Sequence, residues 1–457
     1  MISIGTLPDD VLLAIFDCHV NISREAWQLL VHVCRRWRRI VFESPRRLNL
    51  RLVCKEKTPV RDRLDVWPPL PLVIQCHRIG SVDNIVAALE RSDRVYQILL
   101  HTVPSLDWEI LFAAMQQPFP ELTDLELHSS ETVPVVPDSF LGGSAPRLRF
   151  LHLTGFPFPG FPAKLLLSAT HLVTLYLDGI PHSGYFSPEV MVTALSSLTS
   201  LTQLSLDFES ARSFPDLASR RPPPSTHIVL PVLEYFLFQG VTEYLEDLVA
   251  RIDAPQLNRL EISFFNDIVF DTPHFMQFIS RTPTWTTLQK ARISLMKYYA
   301  SLRFSSLKSG DSDFYVGILC RELDWQLSAV EQVCTSCLPP LSMLEDLYTF
   351  EHRDSQLDSR DDIENGIWLE PLHPFTAVKN LYLTEQFALR IGPALQEITG
   401  GRTTEILPAL QNIFLKGLQP SGPVQEGIGQ FVASREVTSC PIAVSPWDED
   451  QQRRQGS

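Results

Sequence analysis

Pro120-Glu121-Leu122-Thr123-Asp124-Leu125-Glu126-Leu127 sets the fold of this chain. Its leucines step by three and then by two, the spacing of a turn that leads into a strand with one apolar face. The phrase returns as Pro146-Arg147-Leu148-Arg149-Phe150-Leu151-His152-Leu153. It recurs at Leu172, Leu175 and Leu177, at Leu201, Leu204 and Leu206, at Leu233, Phe236 and Phe238, and at Leu257, Leu260 and Ile262. Val378, Leu381 and Leu383 repeat it near the end, followed by Leu410, Ile413 and Leu415. A proline often stands two places ahead.

From Leu122 to Leu257 the steps are 26, 24, 29, 32 and 24 residues, and Val378 to Leu410 is 32. Val95, Ile98 and Leu100 form an earlier unit, 27 residues before Leu122. Leucine-rich repeats run about 20–29 residues, so most of these steps fit and some units are longer. Between Ile262 and Val378 the period is lost, apart from Leu344-Glu345-Asp346-Leu347 as one degenerate unit.

Apolar spacing predicts helices between the strands, over Ser81–Ser92, Asp107–Gln117, Tyr244–Arg251, His274–Ser280, Leu323–Val333 and Phe387–Ile398. Strand, loop and helix at a near-constant period predict an α/β solenoid with parallel strands and outer helices, each unit covered by its neighbours. Arg220-Arg221-Pro222-Pro223-Pro224-Ser225 and the polar stretch Arg353–Glu364 read as loops that interrupt it.

The first fifty residues differ. Thr6-Leu7-Pro8-Asp9-Asp10 opens a helix: an early proline loses no hydrogen bond, and the aspartates suit the positive end of the dipole. Val11, Leu12, Ile15 and Phe16 share one face of it. A second helix is expected from about Ser23, a good N-cap, to Pro45. Its apolar set is Leu30, Val33, Cys34, Trp37, Ile40 and Val41. The interleaved Arg35, Arg36, Arg38 and Arg39 read as a solvated face rather than a nucleic-acid or nuclear-localisation patch. Two such helices bury little surface alone, which points to a partner that covers one face.

The run Leu7-Pro8-Asp9-Asp10-Val11-Leu12-Leu13-Ala14-Ile15-Phe16, followed by Val33-Cys34-Arg35-Arg36-Trp37-Arg38, resembles an F-box. The resemblance implies a three-helix module that binds the Skp-type adaptor of a cullin–RING ubiquitin ligase. It implies that Leu7 and Pro8 lie against the adaptor. Val11, Leu12, Ile15 and Phe16 would then supply the first-helix contact and part of the core. Cys34 and Trp37 would pack inside or at the interface. Where the family often ends in Leu-Trp, this chain has Arg47-Leu48-Asn49-Leu50. The rest resembles the irregular leucine-rich-repeat-like half of fungal F-box proteins. It lacks the usual Asn or Cys after the strand, since His128-Ser129 follow Leu127. The division this implies is an F-box over 1–50, a repeat domain over 51–440 that binds a protein target, and a polar tail over 441–457.

Composition bounds the rest. The 457 residues are 44% hydrophobic and 20% charged, ordinary for a folded protein. A net charge of −14 argues against nucleic acid as partner, because phosphate backbones call for Lys and Arg. No apolar run is long enough for a membrane span, and the N-terminus lacks a basic start and apolar run. Eight scattered cysteines suit reduced thiols in cytosol or nucleus.

No catalytic or cofactor pattern emerges. Cys334-Thr335-Ser336-Cys337 lacks the second pair that a structural zinc site needs. Gly142-Gly143 and Gly400-Gly401 are not followed by Lys-Ser/Thr, and neither a Gly-x-Ser-x-Gly nor a His-Glu-x-x-His motif occurs. His152 and His171 are candidates to line a surface. Which way Tyr176, Tyr235 and Phe208 point is not decided by periodicity. The expected function is that of a substrate-recognition adaptor without enzymatic activity or cofactor. The alternative is a repeat-fold interaction scaffold with no part in ubiquitination.

Overall fold

The computed structural model describes residues 4, 7–20, 25–57, 59–77, 82–131, 133–158, 163–211, 227–265, 272–305, 313–320, 322–338, 341, 343–351, 364–397, 405–416, 423–437 and 440–447. The expected helix start at Ser23, the loop Arg220–Ser225 and most of Arg353–Glu364 lie outside them. The chain forms two compact units, Met1–Leu201 and Thr202–Ser457.

The first unit opens with three helices, α1 (Asp9–Val20), α2 (Trp27–Val33) and α3 (Arg35–Glu43). The single helix expected up to Pro45 is therefore two. Cys34 breaks it in an extended conformation, and its sulfur caps α3 by accepting the Trp37 N–H at 3.5 Å. Leu12, Phe16, Leu30, Val31, Ile40 and Val41 are buried among these helices. The Phe16 and Trp37 rings meet at 4.7 Å. The buried Trp27 donates its indole N–H to the Arg51 carbonyl at 3.0 Å and packs edge-on against Trp67 at 5.1 Å. Glu25 holds Lys55 at 2.7 Å. Helices and first repeat thus share one packed body, with Leu48 and Leu50 buried at the join.

Then follow β1 (Leu52–Lys55), α4 (Val60–Val66), β2 (Leu72–Cys76), α5 (Asp83–Leu89), β3 (Val95–Leu100), α6 (Trp108–Ala114), β4 (Asp124–His128), β5 (Phe150–Thr154), α7 (Ala163–Ser168), β6 (Thr174–Ile180) and α8 (Pro188–Leu195). β1 to β6 pair in chain order, every pair parallel. The register aligns Leu125, Leu151 and Leu175, and also Leu127, Leu153 and Leu177. All six are buried, as the repeated phrase requires. Trp108, Phe112, Phe140 and Phe156 interlock in the buried layer at centroid distances between 4.8 and 5.8 Å, edge-to-face except for the tilted Trp108–Phe112 pair.

The backbone carries the repeat more strictly than the side chains do. The carbonyl just ahead of one strand accepts two N–H groups from the next unit. Thr123 O accepts from Arg149 and Phe150 at 2.8 and 3.1 Å, and Arg149 O from Val173 and Thr174 at 2.8 and 3.0 Å. In the second unit Thr202, Glu234, Gln289, Glu345 and Lys379 do the same, Lys379 for Gln411 and Asn412 at 2.8 and 2.9 Å. This shared acceptor satisfies the donors at each strand entry.

The second unit contains β7 (Gln203–Phe208), β8 (Ile228–Val229), β9 (Tyr235–Gly240), α9 (Thr242–Val249), β10 (Ile252–Asp253), β11 (Arg259–Phe264), α10 (Pro273–Arg281), β12 (Lys290–Met296), β13 (Tyr299–Ser305), β14 (Asp313–Leu319), α11 (Leu323–Gln332), β15 (Asp346–Glu351), β16 (Asn380–Leu383), α12 (Glu385–Glu397), β17 (Asn412–Leu415), α13 (Pro423–Val437) and β18 (Ala443–Pro446). Its main sheet runs β7-β9-β11-β14-β13-β12-β15-β16-β17-β18, and β8 and β10 form a separate parallel pair.

The expectation of a wholly parallel sheet fails at one place. β13 is antiparallel to both β12 and β14, while β14 pairs parallel with β11 and β12 parallel with β15. A three-stranded meander is thus let into the array, which is why the period is lost after Ile262. Buried Gln326 of α11 pins it, its amide donating to the carbonyls of Met296 (2.9 Å) and Cys320 (2.8 Å). The array resumes at β15, the degenerate unit around Leu344. It extends into the expected tail: β18 pairs parallel with β17, and Trp447 beyond it is buried. Cys334 is buried in a wide helical turn over Val333–Cys337 that continues α11.

Candidate interaction faces

The eight residues singled out for adaptor binding do not lie together on one surface. Leu12 and Phe16 are fully buried and belong to the core of the helical module. Val11 and Ile15, on the same helix, are 40% and 43% exposed, and Pro8 is exposed as well. Leu7 is half-buried, with its carbonyl accepting an Arg36 Nη2 donor at 2.5 Å. Cys34 is exposed at its break, and Trp37 is half-buried against Phe16. Leu29 and Val33 of α2 add exposed apolar side chains at 67% and 59%.

The arginine run needs correcting too. Arg36 is not on a free solvated face. Its Nε donates to the Asp9 carboxylate at 2.8 Å, so it ties α3 to the start of α1. Arg39 reaches the same carboxylate at 3.3 Å. The hydrogen bond from Arg36, more than Arg39, holds the Asp9 carboxyl below its usual range. Arg38 donates to the Val31 carbonyl at 2.9 Å and closes the gap between α2 and α3.

The second candidate surface is the open side of the first unit's sheet. Alternate residues of each strand point away from the buried leucines. Register places Leu99, Glu126, His152 and Tyr176 in one row. His128, Thr154 and Asp178 form the next, with His101 beside His128 and His77 beside His101. The imidazoles of His77 and His101 stack at 5.4 Å, and those of His101 and His128 lie 6.1 Å apart. The Glu126 carboxylate stands between His101 Nε2 at 3.5 Å and His152 Nδ1 at 3.6 Å. His152 Nε2 meets Asp178 at 2.9 Å and the Thr154 hydroxyl at 3.1 Å. Tyr176 stands edge-on to His152 at 5.4 Å, with Phe150 6.2 Å from Tyr176. Partial burial pushes the His101 pKa down against the pull of Glu126, and the neighbouring histidines add to the fall.

On the second unit's sheet, the side away from the repeat leucines carries an aromatic cluster in which Tyr348, Tyr382 and Trp447 are buried and Phe350 and Phe414 partly so. Tyr348, Tyr382 and Phe414 stack in register, ring planes 10° apart at 4.2 and 4.5 Å. Trp447 lies across them, 5.4 Å from Tyr382 and 5.8 Å from Tyr348. Arg292 sits 4.3 Å over Phe350. Beside the rings runs a polar ladder: Asn380 donates to Asp346 at 2.7 Å, and Asn412 to Asn380 at 2.8 Å. Arg259 lies over Tyr235 at 5.1 Å on the same sheet. Of the aromatic residues left open by periodicity, Tyr176 and Tyr235 are partly exposed. Phe208 is buried, edge-on to Phe238 and tilted against Tyr244. His171 is exposed on the turn ahead of β6.

Rigid rings, carboxylates and imidazoles at fixed spacing suit recognition of another molecule's side chains. Among the described residues, no three His, Cys, Asp or Glu side chains are placed to hold a metal ion, and no helix is long and apolar enough to cross a membrane. Of the residues in this row, sequence reasoning singled out His152 as a surface candidate and named Tyr176 with its direction open. Glu126, His152 and Tyr176 each stand between the last two apolar residues of their phrase, which is the signal that marks the row.

No family model matches the chain, and no curated protein matches it. Among solved structures it is similar to the leucine-rich repeat-containing protein LegL7 from Legionella pneumophila. The two share 14% identity over 73% of this chain and 96% of that one, with a TM-score of 0.28.

Proposed function

We propose that this chain is a protein-interaction scaffold, which holds a protein partner on the open faces of its sheets and performs no bond chemistry itself. One observation carries this reading: the alternation along the strands. Leu125, Leu127, Leu151 and Leu153 are buried, while Glu126, His128, His152 and Thr154 between and beside them stay partly exposed. A surface fixed by backbone ladders loses little entropy when a partner lands on it.

A finer reading adds a second contact. The F-box-like run and the exposed Pro8, Val11, Ile15 and Val33 support docking of α1–α3 to a Skp-type adaptor and, through it, a cullin ligase core. These side chains are apolar yet unused by the core, so a partner that covers them gains buried area. The chain would then be a substrate-recognition adaptor, presenting an unidentified protein target for ubiquitination. Holding a target lysine near a charged ubiquitin enzyme raises effective concentration, which is all that such an adaptor contributes. This reading involves no cofactor, nucleic acid or membrane, and sets the work in cytosol or nucleus.

Purified Skp-type adaptor, captured on the full chain, tests the finer reading. Wild type binds, and Val11→Asp/Ile15→Asp weakens capture by about tenfold or more with an unchanged melting temperature. If wild type captures no adaptor, the ligase reading falls. The scaffold reading has its own test, a photo-crosslinking residue in place of Tyr176 or Tyr235 on the sheets, or of Glu109 on the exposed side of α6. Protein crosslinks from the first two and not the third support it; none from the sheets, or as many from Glu109, overturn it.

A further inference from the structure

We propose that the open face of β3–β6 binds a lysine- or arginine-bearing segment of a partner, and that the histidines around Glu126 release that segment as pH falls. The inference rests on the scaffold reading and names the chemistry of one of its faces.

Charge complementarity sets the ligand class. Strands β3 to β6 carry Asp124, Glu126 and Asp178 and no Lys or Arg. Glu126 lies 3.5 and 3.6 Å from its two imidazoles. A charge-assisted hydrogen bond is about 2.7–2.9 Å long, so neither contact saturates this carboxylate. Side-chain exposures of 24% for Glu126 and 27% for Asp178 leave both within reach of solvent. Phe150 and Tyr176 stand beside them, giving a long cationic side chain apolar surface for its stem and ring faces for its head.

The gate follows from what surrounds the carboxylates. Facing Glu126 are His101 from the end of β3 and His152 from β5. His77 lies beyond His101 at the end of β2, and His128 of β4 flanks it. Asp178 of β6 faces His152, and Asp124 of β4 lies at the near end of the face. Neutral imidazoles leave Glu126 its full charge for a ligand. Protonated imidazoles neutralise it and repel an incoming cation. Both effects have the same sign, so affinity falls as His101 takes up its proton, below the usual imidazole value. The depressed pKa of His101 keeps that residue neutral at neutral pH.

Fluorescein-labelled (Lys-Gly)4 peptide, titrated with the full chain and read by anisotropy, tests this. Wild type is expected to bind at least about fivefold more tightly at about pH 7.5 than at about pH 5.5. Glu126→Gln/Asp178→Asn loses about tenfold in affinity at the higher pH. Glu90→Gln/Glu109→Gln removes the same charge from exposed positions in and beside the helices and leaves binding as in wild type. His101→Gln/His152→Gln keeps both carboxylates, retains binding at the higher pH and flattens the profile, which guards against misfolding of the first variant. Equal losses in the two carboxylate variants, or no loss in either, overturn the site. Binding lost with Glu126→Gln/Asp178→Asn but independent of pH overturns the gate. Either failure leaves the crosslinking test of the scaffold reading untouched, and failure of that test alone would remove the biological partner while the peptide still binds.

Discussion

Glu246, inside α9, caps α10 through Phe275: one carboxylate oxygen accepts the Phe275 N–H at 2.7 Å, and the other takes the neighbouring His274 N–H at 3.0 Å. The side chain is buried, so it serves one helix while standing in the previous one. A helix starts with N–H groups that have no partner inside it, and a carboxylate there also meets the positive end of the dipole.

Replacing Glu246 with Ala leaves two amides without this acceptor, that of Phe275 in a buried place. The expected cost is about 2 kcal/mol, seen as a lower midpoint in urea. Glu246→Gln keeps one acceptor and loses roughly half as much. Equal stability of all three proteins would show that α10 does not depend on this cap.

The helical module separates core from surface in adjacent residues. Leu12→Asp puts a charge into a fully buried site and unfolds α1–α3, lowering stability by about 3 kcal/mol or more. Val11→Asp and Ile15→Asp change exposed side chains and alter it by less than about 0.5 kcal/mol. Melting curves of the three variants check the division, and a large loss in Val11→Asp would contradict it.

Much of the fold is legible in the sequence because one phrase encodes each strand. Leu125 and Leu151 lie 26 residues apart and become direct neighbours in the sheet. Other features escape for physical reasons. The break at Cys34 leaves the three-and-four apolar spacing of the sequence intact, so periodicity runs through it, although Val33 and Cys34 end up exposed. The meander holds β13, whose pattern Tyr299–Ser305 resembles any half-buried strand, and period carries no sign of strand direction. β1 and β2 are short runs buried on consecutive residues, Leu52-Val53-Cys54 and Leu72-Val73-Ile74, which lack the alternation that marked the others. The docking set is legible as a helix face but not as a split between Val11 and Leu12. That split depends on where α2 and α3 pack.

His101 gives a stability that depends on pH. Its pKa is lowered in the fold, chiefly by burial. Above the unfolded value of about 6.5 both states are neutral and the contribution is whole. As pH falls below it, the unfolded chain takes the proton first, and stability declines until the folded pKa is passed. Melting temperatures at about pH 7.5 and 5.5 are expected to differ more in wild type than in His101→Gln. An identical shift in both would assign the acid sensitivity to other groups.

Glu351 on β15 runs the other way. It is buried, one carboxylate oxygen has no hydrogen-bond partner, and burial raises its pKa against the weaker pull of Arg390. Below the unfolded value of about 4.3 both states are protonated and nothing is lost. As pH rises, the unfolded chain ionises freely while the folded one must keep its proton or bury a charge, so stability falls through the raised pKa. Glu351→Gln removes the titration and keeps the shape. It is expected to stabilise the protein by about 1 kcal/mol at neutral pH and to make no difference near about pH 4. Urea titrations of both proteins at the two pH values test this. A variant less stable than wild type at neutral pH would mean that the ionised Glu351–Arg390 attraction outweighs the burial.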